Sequence, residues 1–238
     1  MTLPSKSEIN RCGDLLRSYL EAGPAEPEAD YDWERLNRAY DVLAEFRASF
    51  SYPLTKVTMG LRAMVQAEAG TVVVAQRLKR MDTILGKLVR LPGTNVARLE
   101  DIGGCRAVLA GPGEVAGVLR RIRRRWDVAR ERNYVEEPKA SGYRAVHVIV
   151  TRDERRIEVQ LRTAGQQQWA DAVETYARIF SLPLKDDEGP EELLNYFRLA
   201  GEGIYREEFG VGTDEEFRAR FDGATAMMRD WVARSREG

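Results

Sequence analysis

Residues 144–163, RAVHVIVTRDERRIEVQLRT, contain two apolar, β-branched runs separated by a short charged turn at 152–155. Runs of this kind joined by a few polar residues predict a β-hairpin. Side chains alternate between the two faces of a strand, so Glu158, which has an apolar residue on each side, lies on the opposite face together with Arg156 and Gln160. The hairpin is therefore predicted to carry a carboxylate on the polar face of a sheet.

Strands and helices are also predicted on both sides of this hairpin. Short β-branched or apolar segments predict strands at 71–78 and 102–109, and apolar residues at helical spacing predict helices at 7–21, 81–89, 113–126 and 165–180, one helix capped by Asp30 or Asp32, and two more after residue 190. The segment 131–142 is predicted to be irregular, because Pro138 and Gly142 disfavour regular structure. This order predicts an α/β (α+β) fold with a mixed β-sheet flanked by helices.

Composition limits the class of protein. The chain has 238 residues, 43% of them hydrophobic and 32% charged, with a formal net charge of −1, which is typical of a globular protein without a basic surplus for nucleic acid. No apolar run approaches the length of a membrane span, and the first residues lack a signal-peptide pattern. We therefore expect a cytoplasmic protein with no membrane contact. Core residues 51–182 are expected to form one domain, with helical extensions at 1–50 and 183–238.

Histidine and cysteine usage excludes several kinds of site. His147 is the only histidine in the chain, so sites that need two or more histidines, such as a multi-histidine zinc centre, are excluded. Cys12 and Cys105 are far apart, fit no metal-binding spacing and imply reduced thiols. What remains is arginine and lysine for phosphates and carboxylates for Mg²⁺, a combination typical of phosphoryl or pyrophosphoryl transfer.

An arginine-rich segment allows two interpretations. Residues 120–132 contain seven arginines, of which five lie in a predicted amphipathic helix. They can form the solvated face of that helix, or they can contact an anion or RNA.

Two groups of residues carry candidate chemistry for a phosphate donor. Arg77, Lys79, Thr83 and Lys87 lie at the end of a predicted strand and on one face of the following helix, an arrangement that suits a polyphosphate. Asp101 opens the next strand, and it could hold Mg²⁺ together with Glu158. The alternative is that these acids form structural ion pairs with Arg106 or Arg162.

The loop PKASGYR, residues 138–144, supplies a third group. Lys139 and Arg144 can bind an anion, and Tyr143 offers a ring on which a purine could stack. His147, two strand steps beyond the loop, could reach the phosphate or ribose of the same ligand, or it could be a half-buried histidine with only structural partners.

Four ordered segments resemble the synthetase domain of the RelA/SpoT family: RLKRMDTILGK (77–87), DIGGCR (101–106), PKASGYRAVH (138–147) and EVQLRT (158–163), followed by WADAVE (169–174). The resemblance implies a nucleotidyltransferase-like fold and a small member that lacks the hydrolase of the long enzymes. It also implies transfer of the β,γ-pyrophosphate of ATP to the 3′-hydroxyl of GDP or GTP, with release of AMP, and Mg²⁺ as cofactor.

Roles follow from the resemblance by position. It implies that Arg77 contacts adenine, that Lys79 and Lys87 bind the ATP phosphates, and that Thr83 keeps a hydroxyl where the family usually has serine. Asp101 would hold the metal, and Glu158 would hold it or help to activate the attacking hydroxyl. Tyr143 would stack on guanine, with Lys139 and His147 on the phosphates and ribose. Ser141 and Arg144 belong to the same acceptor loop, and the roles of Arg106, Gln160 and Arg162 would be supporting ones.

The loop also departs from the family's usual K-x-N-G-Y-x-S at Ser141 and Ala145, which leaves the acceptor open. The chain has some likeness to toxins of toxin–antitoxin pairs, which make alarmones or pyrophosphorylate the 3′ CCA end of tRNA, and a non-catalytic nucleotide or RNA sensor is a third reading. Aromatic residues outside the matched region suggest self-association or antitoxin docking by the terminal helices, with simple packing as the alternative: Trp33, Phe217, Phe221 and Trp231.

Overall fold

The computed structural model of the protein describes residues 4–23, 32–70, 73–91, 93–184 and 187–237. Its elements, in chain order, are α1 (Lys6–Ala22), α2 (Trp33–Ala48), α3 (Ser51–Ala69), β1 (Val73–Leu78), α4 (Met81–Arg90), a 3-10 turn (Val96–Arg98), β2 (Gly103–Leu109), α5 (Pro112–Arg125), β3 (Asp127–Asn133), β4 (Val146–Arg152), β5 (Arg155–Thr163), α6 (Ala164–Ile179), α7 (Glu191–Glu208) and α8 (Glu215–Glu237). Within the described residues, none of the helices is both long and apolar enough to cross a membrane.

The five strands form one mixed sheet in the order β1-β2-β5-β4-β3. Strands β2 and β5 are parallel, and the other neighbouring pairs are antiparallel. The predicted hairpin is β4–β5, and its turn residues Asp153 and Glu154 have φ values of 46° and 61°. Two consecutive residues with positive φ match the right-handed twist of the flanking strands. The predicted mixed sheet flanked by helices is confirmed.

The two faces of the sheet differ as the alternation in β5 predicts. On one face Ile157, Val159 and Leu161 are fully buried and share a core with helices α3 and α5. Complete burial of one such side chain contributes about 1.5–3 kcal/mol. The opposite face carries Glu158 and Gln160 of the same strand, and α6 packs near it. Burial of the apolar face therefore leaves a row of polar side chains facing outward.

Two elements differ from the sequence-based expectation. Residues 131–133, expected to be irregular, complete strand β3, which pairs with β4 and brings Arg132 opposite His147. The mostly exposed, charged sequence of this edge strand gives no apolar alternation, so pairing with β4 defines it. Helix α3 was not predicted, although Pro53 in its first turn is compatible with a helix start, because the N–H that proline lacks would be unsatisfied there.

The other elements lie close to their predicted bounds. Asp32 caps α2 by accepting a hydrogen bond from the N–H of Arg35 at 2.9 Å, whereas the alternative cap, Asp30, lies outside the described residues. The first two residues of the strand predicted at 71–78 also lie outside them. The predicted domain boundaries fall between α2 and α3 and between α6 and α7. The three-part division itself stays a prediction.

Helix α5 lies on the apolar face of the sheet, away from the polar row, with Val118 and Ile122 fully buried. Three of its arginines form ion pairs with described residues: Arg120 and Arg121 with Glu68, at 4.0 and 2.8 Å, and Arg123 with Glu131 at 2.6 Å. These contacts favour the interpretation of a solvated, ion-paired helix face.

The C-terminal aromatic residues pack within the chain. Phe217 is 4% exposed, the rings of Phe217 and Phe221 stack, and the Trp231 ring lies 4.9 Å from that of Phe180. Simple packing therefore accounts for these three residues, whereas Trp33 is 57% exposed.

Candidate active site

A cleft of about 660 Å³ opens on the polar face of the sheet. It runs from the end of β1 and the start of β2, across β5 and β4, to the loop before β4, with α6 along one side. Most of the sequence-predicted site residues line it: Arg77, Lys79, Thr83, Asp101, Arg106, Lys139, Ser141, Tyr143, His147, Glu158, Gln160 and Arg162. The fold thus brings together residues from four separate segments of the sequence.

At one end of the cleft, Asp101 holds two lysines. Its Oδ2 atom accepts hydrogen bonds from the Nζ atoms of Lys79 at 2.6 Å and Lys87 at 2.9 Å. Lys79 follows β1 and Lys87 lies on α4, so the two reach the carboxylate from different elements. Burial acts to raise the pKa of Asp101, but the hydrogen bonds and charges of both lysines outweigh it and hold that pKa below its usual value. The ion-pair partners are therefore lysines rather than Arg106 or Arg162.

The other carboxylate oxygen of Asp101, Oδ1, is buried and has no hydrogen-bond partner within the described part of the chain. A buried oxygen in this state is uncommon, because each one costs free energy unless a ligand, ion or water contacts it. Among the described residues, no group of three or more histidine, cysteine or acidic side chains surrounds a common point. A cation at Asp101 and Glu158 would thus need further oxygen ligands from water or substrate, which suits Mg²⁺.

Arg47, from α2, contributes a contact that the sequence analysis missed. Its Nε atom donates a hydrogen bond to the carbonyl oxygen of Lys79 at 2.6 Å, while the N–H of Lys79 donates to the carbonyl of Ile102 at 2.8 Å. Both backbone groups of Lys79 are thereby fixed where the chain leaves β1. A single arginine on an amphipathic helix gives no sequence signal for such a long-range contact.

At the other end of the cleft, five side chains form a closed ring of hydrogen bonds. His147 Nδ1 lies 2.9 Å from Glu158 Oε1, and His147 Nε2 lies 2.6 Å from the Tyr143 hydroxyl oxygen. Arg162 donates to that hydroxyl at 2.9 Å and to Gln160 at 3.1 Å, and the Gln160 amide donates to Glu158 Oε2 at 2.8 Å. Since Arg162 donates to the Tyr143 oxygen, the hydroxyl proton is free to donate to Nε2, which favours the tautomer with its proton on Nδ1.

This ring sets the protonation state of Glu158. Burial raises the pKa of this carboxyl, but the hydrogen bonds from His147 and Gln160 outweigh burial and hold the pKa below its usual value. Glu158 is therefore an ionised, oriented carboxylate at neutral pH and a weak base. His147 has a specific partner on each ring nitrogen, and one of those partners is the candidate carboxylate.

Tyr143 is largely enclosed by other side chains. Its ring contacts those of Tyr134, His147 and Trp169, with centroids 5.7–5.9 Å apart. Burial raises the pKa of its hydroxyl, although the neighbouring Arg162 acts in the opposite direction. The Lys139 ammonium lies 5.2 Å from the ring centroid, so the end of the cleft that Tyr143 forms carries positive charge.

Two arginines that line the cleft offer charge without an ionic partner among the described residues. Neither the Arg77 nor the Arg106 guanidinium forms a hydrogen bond or an ion pair with another described residue. Burial and the nearby charge of Arg162 lower the pKa of Arg106. A half-buried guanidinium in this state favours an anion or a flat ring as its ligand.

Arg132 was not among the predicted site residues, and Arg144 was predicted but lies elsewhere. Arg132 pairs with His147 across β3 and β4, and its guanidinium donates to the Tyr134 hydroxyl at 3.2 Å, so it lies beside the end of the cleft that holds Tyr143 and His147. The sequence analysis placed it only in the arginine-rich segment 120–132, as a possible anion or RNA contact. The Arg144 guanidinium does not line the cleft, and it donates instead to the carbonyl of Val135 and lies over the Tyr205 ring.

Part of the chain is similar in sequence to known proteins. Residues 76–178 match the family model described as the region found in RelA / SpoT proteins. An uncharacterized protein of Mycobacterium tuberculosis is 35% identical over 130 residues, which are 52% of this chain and 46% of that protein. The chain thus spans about half the length of that curated relative. The Bacillus subtilis GTP pyrophosphokinase YjbM is 27% identical over 156 residues, 59% of this chain and 71% of that protein.

Solved structures show the same fold. A GTP pyrophosphokinase family protein of Streptococcus pneumoniae superimposes with a TM-score of 0.60 at 22% identity, covering 75% of this chain and 96% of that one. The small alarmone synthetase 1 of Bacillus subtilis, bound to its product pppGpp, gives a TM-score of 0.56 at 22% identity, covering 72% and 96%. Residues 76–178 of this chain are thus similar to the region found in RelA / SpoT proteins.

Proposed function

We propose that this protein is an ATP-dependent pyrophosphokinase that transfers the β,γ-pyrophosphate of ATP to the 3′-hydroxyl of GDP or GTP. One observation carries the proposal: a lysine–carboxylate group suited to a polyphosphate and a tyrosine–histidine–glutamate group suited to a nucleoside lie at two ends of one cleft. Asp101 lies just before β2, whose Gly104 pairs with Glu158 on β5, so the two candidate carboxylates come from adjacent parts of the sheet. Such a cleft can hold two nucleotides side by side.

The donor end would bind ATP by charge and position. Lys79 and Lys87 supply two ammonium groups for the phosphates, and Arg77 and Arg106 offer guanidinium planes for phosphate or base. Thr83 adds a hydroxyl on the cleft-lining side of α4. Because Asp101 holds both ammonium groups at one point, they are already gathered before the nucleotide arrives, which lowers the entropy lost on binding.

Mg²⁺ would be held by Asp101, through the buried Oδ1 atom that lacks a partner, and by Glu158, and when bound it would neutralise charge on the ATP phosphates. The residues fit this cation, because two carboxylates leave positions for water and phosphate oxygens.

The acceptor end would orient the attacking hydroxyl. Tyr143 offers an aromatic surface to guanine, and Lys139 and Arg132 offer cations to the acceptor phosphates. In the transfer, the 3′-oxygen forms a bond to the β-phosphorus of ATP, the bond from that phosphorus to the bridging oxygen of AMP breaks, and the hydroxyl proton passes to solvent. The low pKa of Glu158 suits a carboxylate that aligns this hydroxyl by accepting its hydrogen bond, since positioning and charge neutralisation dominate such transfers.

The test is AMP release by the purified protein with ATP and magnesium, with GDP, GTP or deacylated tRNA offered separately. AMP together with a pyrophosphorylated guanosine nucleotide would support the proposal. AMP release in none of these reactions would overturn it and favour a non-catalytic nucleotide sensor.

A second acceptor, the 3′ end of tRNA, is favoured by one observation. Arg130 and Arg132 lie on β3 opposite Ile149 and His147, so two exposed arginines extend the acceptor end along the open face of the sheet. Arg130 is paired with Glu100, which reduces its free charge. AMP release only with tRNA, with binding that falls steeply as salt rises, would support this acceptor, and a toxin that requires an antitoxin would then be expected.

A further inference from the structure

The turn of the acceptor loop rests directly on the backbone of α7. Gly142 has a φ of 89° and donates a hydrogen bond to the carbonyl of Lys139 at 2.9 Å. A Cβ atom added to Gly201 would lie 2.3 Å from the carbonyl oxygen of Gly142, and one added to Gly142 would lie 2.7 Å from the Cα of Arg198. The loop and the helix can approach this closely only because both positions are glycine.

Two further contacts join α7 to the same loop. The indole N–H of Trp169 donates to the carbonyl of Phe197 at 2.7 Å, and the Trp169 ring contacts that of Tyr143. Beyond the turn, the Arg144 guanidinium lies 4.1 Å from the centroid of the Tyr205 ring on α7 and donates to the carbonyl of Val135. Helix α7 thus supports the loop before, at and after Tyr143.

We infer that α7, which lies outside the family-matched residues 76–178, is a positioning element of the acceptor site, and that Gly201 and the Arg144–Tyr205 contact are its positioning residues. This inference rests on the proposed function. It gives Arg144 a role other than ligand binding: Arg144 holds the loop against the helix. Without this support the loop would keep its binding groups but lose their alignment.

The physical link runs through the backbone of the turn. The N–H of Lys139 donates to the carbonyl of Tyr143 at 3.3 Å, so Lys139, Gly142 and Tyr143 move as one unit. A displacement of Gly142 would therefore shift the Tyr143 ring and weaken the contact of its hydroxyl with His147. Misplacement by about 1 Å can cost on the order of a hundredfold in rate in a well-aligned site.

The experiment compares Gly201→Ala with Gly203→Ala. Both glycines lie on α7 and both substitutions gain the same helix propensity, but a Cβ at Gly203 meets only the Phe217 ring at an ordinary 3.4 Å. For each variant, AMP release gives KM for ATP and KM for GDP, and calorimetric titration gives the affinity for GDP alone. We expect Gly201→Ala to raise KM and Kd for GDP by roughly tenfold or more with KM for ATP within about twofold, and Gly203→Ala to change neither.

A second pair of variants tests the helix without a steric clash. Tyr205→Leu removes the ring beneath Arg144, and Tyr205→Phe keeps it. The expected result is a higher KM for GDP in the leucine variant and a normal KM in the phenylalanine variant. This pair decides the question if Gly201→Ala fails to fold.

The outcomes distinguish failure of the inference from failure of the proposed function. Unchanged GDP parameters in Gly201→Ala and Tyr205→Leu, or an equal rise in KM for both nucleotides, would overturn the inference while leaving the proposed function intact. Absence of AMP release by the unmodified protein with every acceptor would overturn the proposed function. GDP titration would then decide the inference alone: weaker binding to Gly201→Ala would sustain it, and an absence of GDP binding to the unmodified protein would overturn it.

Discussion

Replacement of Asp101 by asparagine should destabilise the fold measurably, because Asp101 accepts hydrogen bonds from two lysines in a partly buried position. A hydrogen bond to a charged group contributes about 1.5–3 kcal/mol. The asparagine oxygen could still accept one of the two bonds, but its NH₂ group would add a donor beside two ammonium groups. The Asp101 side chain is 29% exposed, so solvent screening reduces the cost, and we expect a loss of about 2–3 kcal/mol in the free energy of unfolding.

The measurement is urea unfolding at pH 7, followed by circular dichroism. With a slope of about 3 kcal/mol per molar urea, the unfolding midpoint should fall by about 1 M. Asp153→Asn is the matched control, since Asp153 forms an exposed ion pair with Lys56 at 2.8 Å and asparagine tolerates its positive φ of 46°. This control should leave the midpoint close to that of the unmodified protein.

The effect of Asp101→Asn on the free energy of unfolding should also depend on pH. The pKa of Asp101 is lowered by folding, so its contribution to stability is complete above its unfolded pKa of about 3.9 and is lost as pH falls through the lower folded value. The stability difference between the unmodified protein and Asp101→Asn should therefore disappear in strong acid. Equal midpoints at pH 7, or a difference that stays constant down to acid pH, would refute the assigned role of the two lysine contacts.

Three further predictions concern the cleft. Glu158→Gln should lower the rate of AMP release by at least about a hundredfold with little change in ATP affinity, because it removes an oriented charge from the acceptor end. The rate is measured by steady-state kinetics and the ATP affinity by titration. Equal losses of rate and ATP affinity would contradict this role. Arg47→Met should raise KM for ATP up to about tenfold and leave KM for GDP unchanged, since the carbonyl of Lys79 loses its hydrogen-bond donor. The control is Arg38→Met, because Arg38 forms only an exposed ion pair with Glu34 on the same helix. Tyr143→Phe keeps the ring but disconnects His147, so it should raise KM for GDP less than Tyr143→Ala does; the reverse order in steady-state kinetics would exclude the ring as the acceptor surface.

The chemistry-bearing residues were open to prediction because local sequence rules govern them. Alternation in 155–163 put Glu158 on the face opposite a buried apolar row, and helical spacing put Lys87 on the face of α4 that reaches Asp101. The hairpin turn, the cap at Asp32 and most helix bounds also follow from short-range preferences. The sheet type, the segments that carry charge and the family resemblance could all be predicted from the chain alone.

The partners of those residues could not be predicted in the same way. Strand β3 forms through backbone pairing with β4. Asp101 pairs with two lysines rather than with Arg106 or Arg162, the partners considered from the sequence. Arg144 lies in a loop whose sequence suits anion binding, but its guanidinium packs on the Tyr205 ring instead. In each case the partner belongs to a distant segment, and sequence spacing carries no information about which distant segment will be adjacent.

By itself, the sequence determined which groups this protein has for chemistry and on which face of each element they lie, because periodicity fixes side-chain direction along a helix or strand. Only the tertiary structure decided how those groups are held: Arg47 on the backbone of Lys79, the closed ring around Glu158, and α7 beneath Gly142. Such contacts arise from the packing of whole elements against one another, and packing depends on the shape of both surfaces at once.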